Sequence, residues 1–137
     1  MRIIRIEQFN AAHRLHNPSF SDAENLRVFG KCNNPNFHGH NYRIEVMVDG
    51  PIDSQTGYVY DMKLLSDLIK SEIVERFDHR NLNLDCPEFS QLNPTAENIA
   101  VVCWNILREK LSSHLGLSIK LWETERNCVE YSGEEKA

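Results

Sequence analysis

Residues 31–42 read KCNNPNFHGHNY, with one thiol and two imidazoles a single residue apart. His38 and His40 lead directly into an alternating stretch, residues 40–49. In extended backbone, residues i and i+2 point the same way, so both rings fall on the face of Tyr42 and Ile44. Two imidazoles side by side on a buried face are costly if charged. A metal ion resolves that cost by holding them neutral. His13 closes an N-terminal strand expected to pair with this one, and it is the candidate third ligand. Three histidines with an open fourth position make the catalytic type of zinc site. A polar turn with each ring hydrogen-bonded is the competing reading, because HxH alone is a weak signal.

Five residues separate Cys32 from His38. Cys32 is either a fourth ligand, which would close a structural site, or a base beside the metal with its thiolate favoured by positive charge. Lys31 next to it fits the reactive role, and spacing leaves both open. Asp78 and His79, in FDHRNLN at 77–83, end a predicted helix, where a histidine also suits the negative end of the helix dipole. His114 has only that second reading, and His16 is a loop histidine. Glu123 ends the apolar stripe Leu117, Ile119, Leu121 in LSIKLWET. A carboxylate there either lifts into solvent or anchors a ligand. One carboxylate can accept two parallel N–H bonds from a guanidine-like edge, as found in arginine, guanine and pterins.

The elements that must position these groups follow from periodicity. RIIRIEQFNAA at 2–12 predicts a strand. Its alternation shifts between Ile4/Ile6 and Phe9/Ala11, which predicts a bulge. Residues 14–37 lack periodicity, and a loop of that length is usually functional or carries a short element of its own. HNYRIEVMVD at 40–49 predicts a strand with Tyr42, Ile44, Val46 and Val48 on one face. Asp61 is the expected N-cap of a helix running to Arg76, with Leu65, Leu68, Ile69 and Ile73 inward. A second loop covers 80–94. Thr95 caps the strongest helix, carrying Ile99, Val102, Cys103, Ile106, Leu107 and Leu111, with Glu97 near its N-terminus and Gly116 as its stop. Strands at 117–124 and 127–132, joined at Glu125–Arg126, complete a β-β-α-α-β-β order. That order predicts an α+β fold: an antiparallel sheet with two helices on one face and two open edges suited to edge-to-edge assembly.

The chain has 137 residues, which fits one domain over 1–137 with a core of its own. A net charge of −5 argues against a nucleic-acid surface but leaves room for a small phosphate pocket. No stretch has signal-peptide or membrane-span character, so a cytoplasmic protein with no membrane partner is expected. Cys32, Cys86, Cys103 and Cys128 form no CxxC pair, so neither a disulfide framework nor a cysteine-rich zinc module is expected.

Taken together, FNAAHRL, SDAENLRVFGKCNNPN, HGHNY, FDHRNLN, PTAENIA and WET resemble the 6-pyruvoyl-tetrahydropterin synthase family, in order and across nearly the whole chain. The resemblance implies the T-fold, with subunits joined edge to edge into barrels, a homohexamer of two trimers and active sites between subunits. It implies zinc held by His13, His38 and His40, and Cys32 as general base. Asp78 and His79 would be a proton-relay pair from a neighbouring subunit. Glu123 would grip the pterin, with Thr95 and Glu97 nearby. The implied reaction converts 7,8-dihydroneopterin triphosphate to 6-pyruvoyl-tetrahydropterin with loss of triphosphate.

A branch of the family makes 6-carboxy-tetrahydropterin, usually with its cysteine three residues before HGH. The five-residue spacing here sides with the pyruvoyl branch. GYVYDM at 57–62 resembles the carboxy branch instead, and Phe37 stands where animal members tend to have glycine. ETERN at 123–127 departs from the common ETDNN but keeps the glutamate. A non-catalytic zinc- or pterin-binding assembly is the reading from another class. Arg14, Lys31 and Arg80 are candidate phosphate contacts by proximity to the motifs.

Overall fold

The computed structural model describes residues 1–134. Strands β1 (Arg2–His13) and β2 (His38–Asp49) form its central ladder, antiparallel and unbroken from Arg2↔Asp49 to His13↔His38. The expected bulge is absent. Ile3, Phe9, Ala11 and His13 share one face, while Ile4 and Ile6 lie on the other, 45% and 44% exposed. The alternation only looks shifted because Arg5 and Glu7 occupy inward positions. Arg5 Nε donates to Glu7 Oε1 (2.9 Å), which also accepts from Ser66 Oγ (2.7 Å) on a covering helix. The polar pair is therefore satisfied where the pattern calls for apolar residues.

Strand β3 (Arg80–Asn81) pairs in parallel with β1 at Ala11 and Ala12. Strands β4 (Gly116–Trp122) and β5 (Cys128–Tyr131) continue the sheet antiparallel beyond β2, giving the order β3-β1-β2-β4-β5. The sheet thus has five strands and one parallel pairing, not four antiparallel ones. The extra strand forms because the chain leaving the helix layer turns back along β1, with His79 N–H donating to Asn10 O (2.5 Å).

Helix α1 (Asp22–Phe29) and a 3₁₀ turn at Gly30–Asn33 occupy the first long loop. Ser21 caps α1 by accepting from Glu24 N (3.1 Å), and the Ser-x-x-Glu spacing was its signature in the sequence. The predicted helix after Asp61 is α2 (Met62–Ile69), a π-helical turn (Lys70–Val74) and α3 (Glu75–Phe77), running without a break. The second loop holds β3, α4 (Leu82–Asp85) and a 3₁₀ turn at Pro87–Phe89.

Helix α5 (Ala96–Lys110) starts at Thr95, whose hydroxyl accepts from Asn98 N (3.2 Å). It ends before Gly116, which opens β4. The Arg108 guanidinium closes the helix by donating to the carbonyls of Leu111, Ser112 and Leu115.

Leu65, Ile69, Ile73 and Phe77 from the first helix, and Ile99, Cys103 and Leu107 from α5, are buried against Phe9, Tyr42, Ile44, Val46, Ile119 and Leu121 of the sheet. Each such burial contributes about 1.5–3 kcal/mol. Both helices therefore cover one face of the sheet and leave its open end to the strand termini.

Candidate metal centre and active site

The β1–β2 register sets three imidazoles together. His13 lies opposite His38, and His40 lies opposite Ala11, whose small side chain leaves room for the ring. All three rings share the helix-covered face, with centroids 4.6–5.0 Å apart. One ring nitrogen from each residue lies within 4.8 Å of the others, so the three could hold a metal ion. His13 and His38 approach Nε2 to Nε2 at 3.0 Å.

His13 is buried, and its Nδ1 sits 2.7 Å from the Pro94 carbonyl. A carbonyl only accepts, so Nδ1 carries the proton and Nε2 keeps its lone pair for a ligand. Burial lowers the His13 pKa to about 4; the Pro94 carbonyl opposes that fall and His38 and His40 add to it. Burial, then His40, also lowers the His38 pKa. His38 Nδ1 and His40 Nε2 are buried with no hydrogen-bond partner. Burial that disfavours the protonated forms of His13 and His38, together with buried imidazole nitrogens that lack partners, fits a bound cation. Cys32 does not join this cluster. It shares with His38 and His40 the wall of a cavity of about 1140 Å³, along with Arg14 and Lys31. Arg80 does not line that cavity.

Glu123 follows the end of β4, with its backbone N–H donating to Asn127 O (3.1 Å). Its Oε1 is 3.9 Å from His40 Nε2. The carboxylate borders two cavities: one of about 600 Å³ shared with His40 and Arg43, and one of about 570 Å³ shared with Thr95 and Glu97. His40 and Glu123 are thus common walls linking the thiol side of the site to the Thr95–Glu97 side. The Glu125–Arg126 connection is longer than expected, because Thr124 Oγ1 accepts from Arg126 N and Asn127 N and shapes the whole segment.

A family model described as 6-pyruvoyl tetrahydropterin synthase matches residues 2–134. The chain belongs to this family. It is 46% identical over 132 residues to the 6-pyruvoyl tetrahydrobiopterin synthase of Drosophila melanogaster, covering 96% of this chain and 79% of the fly protein. The solved 6-pyruvoyl tetrahydropterin synthase of Caenorhabditis elegans superposes with a TM-score of 0.92 at 40% identity, covering 98% of this chain and 96% of the worm chain. The 6-carboxy-5,6,7,8-tetrahydropterin synthase of Rickettsia conorii is 33% identical over 144 residues, covering 92% and 95%. The protein is accordingly a pterin synthase, an enzyme of the 6-pyruvoyl tetrahydropterin synthase family with its T-fold.

Within one synthase chain, Asp78 and His79 stand apart from the histidine trio. Asp78 caps the end of α3, and its Oδ1 accepts from Asn10 N (2.8 Å). The Asn10 N–H, above all, lowers the Asp78 pKa below the usual carboxylate range. Asp78 Oδ2 meets His79 Nδ1 at 2.9 Å. His79 has a left-handed backbone (φ 59°) and a side chain that is 82% exposed. The cavities that hold Cys32 and Glu123 exclude both residues.

Sequence reasoning missed Pro94, whose carbonyl leaves no side-chain signal, and Tyr42. The Tyr42 hydroxyl reaches His13 Nδ1 at 3.3 Å. Its ring was legible only as core, and it does stack on Phe9 at 5.0 Å. It also missed Asn33, Asn83 and Asn93, which looked like ordinary loop polarity. All four cysteines are free, and among the described residues no helix is long and apolar enough to cross a membrane.

Proposed function

We propose that this synthase converts 7,8-dihydroneopterin triphosphate to 6-pyruvoyl-tetrahydropterin, using zinc held by His13, His38 and His40. The observation that carries the reading is the histidine trio flanked by the two side chains the reaction calls for. A thiol lies on one side, and a carboxylate lies 3.9 Å from His40 on the other. Zinc supplies Lewis-acid polarisation of the substrate side-chain oxygens, which acidifies the neighbouring C–H bonds.

Glu123 accepts the 2-amino and N3–H donors of the pterin in a bidentate pair, with Thr95 and Glu97 bordering the same pocket. That grip sets the side chain toward Cys32. Cys32 removes a proton from the first side-chain carbon and delivers one to ring carbon 6. The ring C=N bond takes up the two electrons lost as the C1′ hydroxyl becomes a ketone. Loss of the C2′ proton with departure of triphosphate from C3′ leaves an enol that tautomerises to the second ketone and a terminal methyl, so the oxidation balance closes within one molecule. Triphosphate leaves with the electron pair of its C–O bond. His79, oriented by Asp78, takes up the hydroxyl proton. Because that pair is remote from the trio in its own chain, it serves the site of a neighbouring subunit. The open edges at β5 and along the part of β1 that the short β3 does not cover support edge-to-edge assembly into a homohexamer, and a cytoplasmic setting suits a phosphorylated small-molecule substrate.

The five-residue spacing after Cys32 and the 46% identity to a pyruvoyl relative, against 33% to a carboxy one, favour the pyruvoyl product. GYVYDM favours the carboxy product, which is the second reading. Incubating the purified protein with dihydroneopterin triphosphate separates them. Inorganic triphosphate with a pyruvoyl pterin is the expected result. Acetaldehyde with a carboxy pterin would overturn it.

A further inference from the structure

His13 ends β1, and Arg14–His16 continue the chain outside the ladder, yet each of the four is tied down. Pro94 O holds the His13 ring, and Asn83 grips both backbone groups of Arg14: Arg14 N donates to Asn83 Oδ1 (2.8 Å), and Asn83 Nδ2 donates to Arg14 O (2.9 Å). Asn93 Oδ1 accepts from His16 N (3.2 Å). The remaining hydrogen bonds of Arg14–His16 run to the turn that carries Cys32. Leu15 N donates to Cys32 O (2.9 Å), Arg14 Nε donates to Asn33 O (2.9 Å), and Asn33 Nδ2 donates to Leu15 O (2.8 Å) and lies 3.0 Å from His16 Nδ1.

We propose that Asn33 is a positioning residue that clamps the Cys32 turn to the segment following His13, so that the thiol is held beside the histidine trio by protein hydrogen bonds and not by an ion. The inference rests on the reading of Cys32 as the base. A thiol placed by coordination would be a ligand and lose its basicity to the metal. A thiol placed by a separate clamp stays free to exchange protons. Asn33 suits this task because its side-chain amide nitrogen has two donors for two acceptors on the opposite segment; its backbone carbonyl, which any residue would supply, takes the Arg14 guanidinium. Aspartate has the same shape and no donor, and it would face the Leu15 carbonyl with a second acceptor. The clamp therefore needs the amide and not merely its volume.

The test compares Asn33→Asp and Asn33→Ala with the unaltered enzyme. Asn33→Ser, which keeps one donor, guards against misfolding of the other two, and Tm is measured for all. In both Asp and Ala variants, bound metal should be unchanged and KM should stay within about twofold. The kcat should fall about 10–100-fold, the scale of a misplaced catalytic group. Iodoacetamide should alkylate Cys32, read by peptide mass against exposed Cys128, several-fold faster than in the unaltered enzyme. Asn33→Ser should fall between. Wild-type kcat and alkylation in Asn33→Asp would overturn the clamp, as would a kcat loss that merely tracks metal loss. The reading beneath it fails separately: a Cys32→Ala variant with full turnover removes Cys32 as base, whereas an inactive Cys32→Ala beside a fully active Asn33→Asp removes only the clamp.

Discussion

The histidine trio and the Asp78–His79 pair both meet the last residues of β1, the trio through His13 and the pair through Asn10, yet they are built oppositely. The trio sits inside. Its spacing comes from strand register, the His13 tautomer from a buried carbonyl, and the lowered pKa values of His13 and His38 from burial. The pair sits outside. Asn10 ties it to the outer edge of β1, His79 is 82% exposed, and its backbone adopts a left-handed conformation. One group is finished by its own chain, and the other presents functional side chains to nothing within that chain. On the proposed reading, the fold sets the metal-ligand trio within one chain and completes the proton relay only with a second copy.

The largest effect should come from removing the finished part. His13→Ala deletes a ligand together with its Pro94 anchor. It should cost more than the ~10–100-fold lost when only a hydrogen-bond partner behind a ligand is removed. Metal analysis of the purified variant checks this. Retention of full metal content would mean that the trio is not the centre. Acid acts on the same residues more gently. In metal-free protein the unfolded chain protonates His13 near its ordinary 6.5, while the folded chain keeps it neutral down to about 4. Between those values the unfolded state binds more protons, so stability present above pH 6.5 is lost as pH falls toward 4. Thermal melts of the chelated protein across that window should show a falling Tm.

The unfinished part makes a different prediction. Cys32→Ala and His79→Ala should each be nearly inactive as pure assemblies. Co-expressed in equal amounts and mixed at random, they should regain about a quarter of wild-type turnover, because a site then draws its intact Cys32 and His79 from different chains. If each site used one chain only, no mixture would recover anything. Separate purification followed by mixing without subunit exchange supplies the baseline.

How legible each region was follows from the same contrast. His13, His38, His40 and the core stripes of β2 and α5 announced themselves because strand and helix periods place side chains by simple counting. Glu123 was visible as a carboxylate ending an apolar stripe. The groups that escaped act through the backbone or through polar loops. Pro94 contributes a carbonyl that any residue could offer. Asn33, Asn83 and Asn93 work across 17 to 77 residues of sequence, and no local period reports such contacts. The mistaken bulge in β1 has a similar origin. Arg5 and Glu7 face inward because Ser66, 59 residues away from Glu7, completes their hydrogen bonds. Helix α1 was within reach, since Ser21 and Glu24 spell its cap.

The smallest expected effect tests whether the exposed pair is held in place for function at a cost in stability. Among the described residues, two non-glycine positions have left-handed backbones: Phe37 (φ 68°) and His79 (φ 59°). Such a conformation costs about 1–2 kcal/mol for a residue with a Cβ. Glycine removes that cost but gives back about 0.5–1 kcal/mol through its freer unfolded chain. At His79 the further loss is the exposed hydrogen bond to Asp78, worth ~0–1 kcal/mol. The middle of these ranges leaves a net gain of only about a few tenths of a kcal/mol, so His79→Gly should raise Tm by about 1 °C while abolishing the relay. At Phe37 the ring lines a cavity with Phe20, Phe29 and Phe89, so glycine forfeits apolar burial as well as strain. Phe37→Gly should lower Tm by about the same amount or more. Calorimetry on the two variants gives opposite signs if His79 is strained without compensation from packing, and the same sign if backbone strain alone governs both positions.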